Sequence, residues 1–255
     1  MNNLNDNLFV LEHKQKNKEI INLLKNVTVF LLIVIFLPAF AYLLFSSGLI
    51  KSKSVYSSNI EQPVALVMTN SGSGTAFLVG ETRLLTAKHV VEDMDIGEIL
   101  QLVFEKAQPP ITTEARLIWK NPDNRPAPEY YEDDFAVLEL TIPGDIPENF
   151  PRMTLGSSVS ALTRDEVILV GYPQGIFSAT TGTISNDNIK GLDLFLLDAG
   201  AWPGNSGGPL ILKETEEVIG ILIAGFEGEY IGMNMANKID EILVTLDSDF
   251  VYVNE

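Results

Sequence analysis

The sequence predicts an all-β protein: two packed β-barrels or a sandwich, with a C-terminal helix and one transmembrane helix in front. Three observations carry this. Short apolar runs recur along residues 64–235, each bounded by glycine, proline, asparagine or serine. No long helical pattern alternates with them, which disfavours a parallel α/β sheet. Regular strands at such spacing fit barrels and sandwiches.

Taken in order, residues 1–26 are polar and basic and read as a cytoplasmic tail. From Val27 to Phe45 no residue is charged (VTVFLLIVIFLPAFAYLLF), long enough at helical rise to cross a bilayer core. We assign residues 27–50 as a transmembrane anchor; Pro38 kinks such a helix without abolishing it. Ala39-Phe40-Ala41 has the form of a signal cleavage site, but the apolar stretch runs on past it, so an uncleaved anchor is expected. Lys14, Lys16, Lys18 and Lys25 precede the span, and only Lys51 and Lys53 closely follow. The positive-inside rule then leaves the C-terminal bulk outside the cytoplasm. Residues 51–62 read as a linker and 63–255 as the globular domain.

Within that domain the expected strands are 64–69, 75–80, 83–86, 98–105, 114–120, 135–140, 166–172, 180–185, 192–198, 209–213, 217–225 and 229–235. Proline-rich stretches at 121–128 and 143–151 read as surface loops. Near the end, Asn237 is the expected helix cap with Asp240 three residues on, and Ile239, Ile242, Leu243 and Leu246 share one helical face.

Composition narrows the function. The formal net charge is -17, with 34 acidic against 17 basic residues. Such a surface repels phosphate backbones, so nucleic acid is not an expected partner. There is no cysteine, and the only histidines are His13 and His89. Disulfides and thiolate chemistry are excluded, and no metal or cofactor is expected.

The stretch AWPGNSGGPL (201–210) frames Ser206 with glycines. A serine hydroxyl is a weak nucleophile until a neighbouring base takes its proton. His89, in LLTAKHVVED, is the one imidazole on the same side of the span, at the end of the short strand 83–86. A base of this kind needs an acid to fix its tautomer. Asp133 and Asp134 lie just before strand 135–140, where an acid at a strand mouth can reach a histidine. Glu129, Glu132 and Asp133 read as a solvated loop. Gly204 lets its peptide turn, so that the N–H groups of Gly204 and Ser206 can point at one oxygen as an oxyanion hole.

TAKHVV, DFAVLEL and PGNSGGPL together resemble the histidine, aspartate and serine motifs of the trypsin-like serine proteases, in that order along the chain. GSGTAFLV (72–79) and GYPQG (171–175) are similar to the HtrA/Deg-like branch. The resemblance covers about residues 64–246. It implies two antiparallel six-stranded β-barrels with the site between them. His89 is then the base, Asp134 the orienting acid, Ser206 the nucleophile, and Gly204 and Ser206 the oxyanion hole. It also places Gly200 at the base of the primary substrate pocket, with Ala224 and Gly225 on its wall and Leu222 nearby. None is charged, so an uncharged, aliphatic residue before the cut is expected. The implied partners are a polypeptide substrate, the membrane through the N-terminal helix, and further copies of the chain, since HtrA-like relatives often form trimers.

Three departures from the family stand out. Asn205 occupies a position that is Asp in the animal digestive enzymes, and no Ile-Val-Gly-Gly start is present, so activation by N-terminal clipping is not expected. Only a few residues follow the expected helix, so a PDZ domain is not expected. Ile223 falls where those enzymes place a serine that supports the catalytic acid. The alternative to a peptidase is therefore a catalytically silent, protease-like sensor or scaffold.

Overall fold

The computed structural model describes residues 58–122, 129–225 and 233–249. The expected tail and membrane anchor, residues 1–26 and 27–50, lie outside these, as does most of the linker. Among the described residues no helix is long and apolar enough to cross a membrane.

A helical turn, α1 (Ser58–Glu61), opens the described chain where the sequence places the end of the linker. Ile60 is buried, so the packed structure begins before residue 63. Six strands follow: β1 (Val64–Met68), β2 (Ser73–Leu78), β3 (Arg83–Thr86), β4 (Ile99–Phe104), β5 (Ile111–Lys120) and β6 (Ala136–Leu140). They close into an antiparallel barrel in the order β1-β2-β3-β6-β5-β4. The second barrel comprises β7 (Glu166–Gly171), β8 (Ser178–Asn186), β9 (Leu194–Leu197), β10 (Pro209–Leu212), β11 (Glu217–Gly225) and β12 (Asn234–Lys238). It closes in the order β10-β11-β12-β9-β8-β7. Helix α2 (Ile239–Asp249) ends the described chain.

Strand parity explains the core. In β1, Ala65 and Val67 enter the first barrel's interior while Val64 faces the cluster shared by both barrels. In β2, Ala76 and Leu78 point in and Phe77 points to the shared cluster. In β7, Val167 and Leu169 enter the second barrel while Ile168 and Val170 join Phe77. A strand buried on both faces needs no polar alternation. This is why VALVM and VILV read as continuous apolar runs. Ile239, Ile242 and Leu246 of α2 are fully buried in the same shared cluster, on the face the sequence predicts.

The last strand departs from expectation. The sequence places it at 229–235, whereas β12 runs Asn234–Lys238; residues 229–232 lie outside the described residues. β12 is hydrogen-bonded on both sides, to β11 and β9, and Asn234 to Asn237 are all buried. Two asparagines hide the strand from a hydropathy reading. Both are satisfied: Asn234 Nδ2 donates to Ala199 O (2.6 Å) and Asn237 Nδ2 to Asp134 O (3.2 Å). Asn237 is therefore a strand residue and not the helix cap. The first turn of α2 is capped from 82 residues upstream: Asp240 N–H donates to Ser158 Oγ (3.2 Å). In return the Asp240 carboxylate accepts from Ser158 N–H, Ser158 Oγ–H (2.5 Å) and Val159 N–H (3.2 Å).

Candidate active site

His89 arrives on a 3-10 turn, Lys88–Val91, directly after β3. Strand β3 pairs with β6, with Thr86 opposite Ala136. The register therefore sets His89, three residues past the end of β3, beside Asp134, two residues before β6. The contact is made: His89 Nδ1 and Asp134 Oδ2 are 2.7 Å apart, and His89 N–H donates to Asp134 Oδ1 (2.9 Å). Both carboxylate oxygens are thus engaged by one residue. Asp134 is buried, while the imidazole keeps 44% of its side-chain surface exposed.

The Asp134 carboxylate takes its donors from His89, and its own carbonyl accepts from Asn237. Ile223, at the serine position of the digestive enzymes, is buried in a small apolar cluster with Ala87, Leu194 and Met235. The acid finds its donors without a hydroxyl at that position, which meets the requirement that a buried charge be hydrogen-bonded.

Burial alone would lower the His89 pKa, because desolvation penalises the imidazolium. The hydrogen bond and the negative charge of Asp134, helped by Glu92, outweigh it and hold the pKa above the usual 6.5.

Ser206 lies in the segment between β9 and β10. Trp202–Asn205 forms a turn closed by Asn205 N–H to Trp202 O (3.0 Å), with proline second and Gly204 third at φ 102. That φ is the positive value a type II turn demands at this place. Gly204 also packs so closely that a Cβ would strike Tyr172 O. Gly207 has φ 84, and a Cβ there would strike Thr75 O and come within 2.8 Å of Ala87 N. The glycine beside Ser206 is thus seated on the residues that lead into His89. Ser206 itself is half-buried, with its carbonyl accepting from Thr75 N–H (2.9 Å). Among the described residues no hydrogen bond ends on the Ser206 hydroxyl, and the N–H groups of Gly204 and Ser206 meet no protein acceptor.

Of the expected pocket residues, Gly200 accepts from Thr180 Oγ1 (2.8 Å), and the indole of the half-exposed Trp202 lies against it, 3.2 Å from where a Cβ would stand. Leu222 is buried in the second barrel's core, and its backbone exchanges bonds with Gly207 N–H (2.8 Å) and Gly208 O (2.9 Å). Ala224 and Gly225 sit at the end of β11, in register with Met235 and Asn234. Two acids expected in solvent are tied instead. Glu132 Oε1 accepts from Asp193 N–H (2.6 Å), and Asp133 Oδ1 accepts from Asn121 Nδ2 (3.1 Å). Among the described residues no cluster of three or more potential metal ligands occurs.

Sequence reasoning missed Thr75, Thr86 and Gln174 as residues that hold this site together. Thr75 lies within GSGTAFLV and Gln174 within GYPQG, two stretches noted for their likeness to a family. Nothing local signals that their polar groups cross from one element to another.

A trypsin-like peptidase domain model matches residues 74–221. A probable periplasmic serine endoprotease DegP-like from Chlamydia pneumoniae is 32% identical over 187 residues, covering 67% of this chain and 34% of that protein. A counterpart from Pseudomonas putida (strain W619) is 29% identical over 178 residues, covering 66% of this chain and 32% of that protein. The chain thus spans about a third of the length of these relatives. Among solved structures, the HtrA-type protease AlgW with tripeptide superposes with a TM-score of 0.62 at 27% identity, over 77% of this chain and 64% of that one. An inactive form of Rv3671c from M. tuberculosis H37Rv shares the fold, with a TM-score of 0.60 at 20% identity, over 79% of this chain and 94% of that one. With two closed barrels, a histidine and aspartate bonded between strand ends, and a glycine-framed serine in the turn before β10, the chain belongs to the trypsin-like peptidase domain family.

Proposed function

We propose that the chain is a membrane-anchored serine endopeptidase acting outside the cytoplasm. Ser206 Oγ attacks the carbonyl carbon of a peptide bond as His89 Nε2 takes its proton. The carbonyl electrons move onto oxygen, and the N–H groups of Gly204 and Ser206 stabilise that oxyanion. The imidazolium returns the proton to the leaving amine, and water then cleaves the acyl-enzyme by the same path in reverse. Asp134 holds the imidazole in the Nδ1–H tautomer and offsets the imidazolium charge. The observation that carries this reading is the bond from His89 Nδ1 to Asp134 Oδ2 at 2.7 Å, which leaves Nε2 as the free base.

Residues 27–50 would supply the anchor, and the periplasmic naming of the DegP-like relatives agrees with the orientation drawn from the lysines. Uncharged Gly200, Ala224 and Gly225 favour an aliphatic residue before the cut, in protein quality control or processing. Homo-oligomers, as among HtrA-like relatives, remain part of this proposal. A catalytically silent scaffold is the second reading, favoured by the Ser206 hydroxyl making no hydrogen bond among the described residues.

A fluorophosphonate probe separates the two. The wild-type chain is expected to label, and Ser206→Ala and His89→Ala are expected not to. A folded wild type that resists the probe would leave the scaffold reading standing.

A further inference from the structure

In a trans peptide the C=O and the next N–H point in opposite directions. What holds each carbonyl of the Pro203–Ser206 turn therefore decides where the following N–H points. Pro203 O accepts from Gln174 N–H (2.8 Å) and Asn205 O from Gly208 N–H (2.9 Å). Those two peptides carry the N–H groups of Gly204 and Ser206. Between them lies the Gly204–Asn205 peptide, and its flexible end is Gly204, a residue that crosses φ/ψ space at little steric cost. Its carbonyl is held by one side chain: Thr75 Oγ1–H donates to Gly204 O (2.7 Å).

Thr75 has little freedom to do anything else. It is fully buried. Its Oγ1 also accepts from Tyr172 N–H (3.0 Å). A hydroxyl has one proton to give, and with Tyr172 donating to it, that proton goes to Gly204 O. The Thr75 main chain is held as well. Its N–H donates to Ser206 O (2.9 Å), and its carbonyl accepts from Thr86 Oγ1 (2.7 Å). Thr86 ends β3, three residues before His89. One residue of the first barrel thus touches the strand that delivers His89 and two carbonyls of the turn that delivers Ser206.

We propose that Thr75 is a positioning residue that, through its hydroxyl, locks the Pro203–Ser206 turn with the N–H groups of Gly204 and Ser206 facing a developing oxyanion. The proposal rests on the hydrolytic reading above. Valine would fill the same space without the proton, so the chemistry of the hydroxyl is the point at issue. Donors of this kind act by being fixed before charge develops, and a loosened turn loses that advantage in the transition state more than in the ground state.

The test compares the full chain in detergent as wild type, Thr75→Val and Thr75→Ser. With an N-acyl-alanine p-nitrophenyl ester, Thr75→Val is expected to lower kcat by about 10–100-fold with KM nearly unchanged, short of the loss from deleting a donor outright. Thr75→Ser, which keeps the proton, is expected to recover kcat to within a few-fold of wild type. A second readout needs no turnover: the amide resonances of Gly204 and Asn205 shift, and Tyr172 N–H exchanges faster, in Thr75→Val but not in Thr75→Ser. Valine and serine variants equally impaired, or a folded valine variant with wild-type kcat and unshifted amides, would overturn the proposal. Should the wild type resist the fluorophosphonate, the hydrolytic reading fails. The amide shifts then judge the hydroxyl lock alone: present with valine and absent with serine they support it, and absent with both they overturn it.

Discussion

The His89–Asp134 contact couples charge to acidity. For general-base work His89 must be neutral, so the proposed hydrolysis rises as pH passes the His89 pKa. Asp134 and Glu92 raise that pKa above the usual 6.5 despite desolvation. The acid limb of kcat/KM, which reports the free enzyme, is therefore expected to lie above 6.5. A profile of ester hydrolysis between about pH 5 and 9, centred on the ordinary histidine range, checks this. Asp134→Asn removes the charge that raises the pKa and frees the imidazole to take the wrong tautomer. Its acid limb is expected to move down in pH while kcat falls by roughly 10³–10⁴-fold. The sign for stability is opposite to that for rate. A histidine with a raised folded pKa stabilises the fold below its unfolded pKa, and this contribution is lost as pH rises through the folded value.

Among the elements, α2 shows how a distant residue takes over a local role. Its cap is Ser158, and Asp240 answers by accepting from the 3-10 turn that contains Ser158. Desolvation would raise the Asp240 pKa, but the bonds from Ser158, Val159 and Ser157 outweigh it and hold the pKa below the usual carboxylate value. Asp240→Ala is expected to destabilise the domain by about 1 kcal/mol, toward the low end for a charged hydrogen bond because the carboxylate is only partly buried. The contribution is present above the unfolded Asp pKa and is lost as pH falls through the lower folded value. Urea midpoints of wild type and variant should therefore differ at pH 7 and converge under strongly acid conditions.

At the scale of the whole molecule, the two barrels share one apolar cluster contributed by the outward faces of β1, β2, β3, β6, β7, β10 and β11 and by α2. The catalytic candidates come from both sides of it: His89 and Asp134 from the first barrel, Ser206 from the second. Their mutual placement depends on this shared packing and on the Thr75 bonds that cross it. The proposed anchor is tested separately from the site. The full chain is expected in the membrane fraction after carbonate washing, and a chain lacking residues 1–50 in the supernatant. Finding the full chain in the supernatant would remove the anchor from the proposal.

Several features follow from the sequence alone. The apolar runs mark most of the strands because burial on both faces forces continuous hydrophobicity. Ile239, Ile242 and Leu246 mark the buried stripe of α2 because helical period is local. The motifs around His89, Asp134 and Ser206 point to the proposed chemistry because a nucleophile, a base and an acid must be particular residue types. Tertiary structure alone decides the rest. β12 escapes a hydropathy reading because Asn234 and Asn237 are polar in sequence and satisfied only across strands. Ser158 caps a helix 82 residues away, and Glu132 and Asp133 find donors on other elements. Thr75 reads as one residue in a strand; that its hydroxyl meets Gly204 depends on bringing together positions 129 residues apart. Hydrogen bonds between distant segments leave no period or spacing in a chain, because their geometry exists only once the barrels have closed and packed.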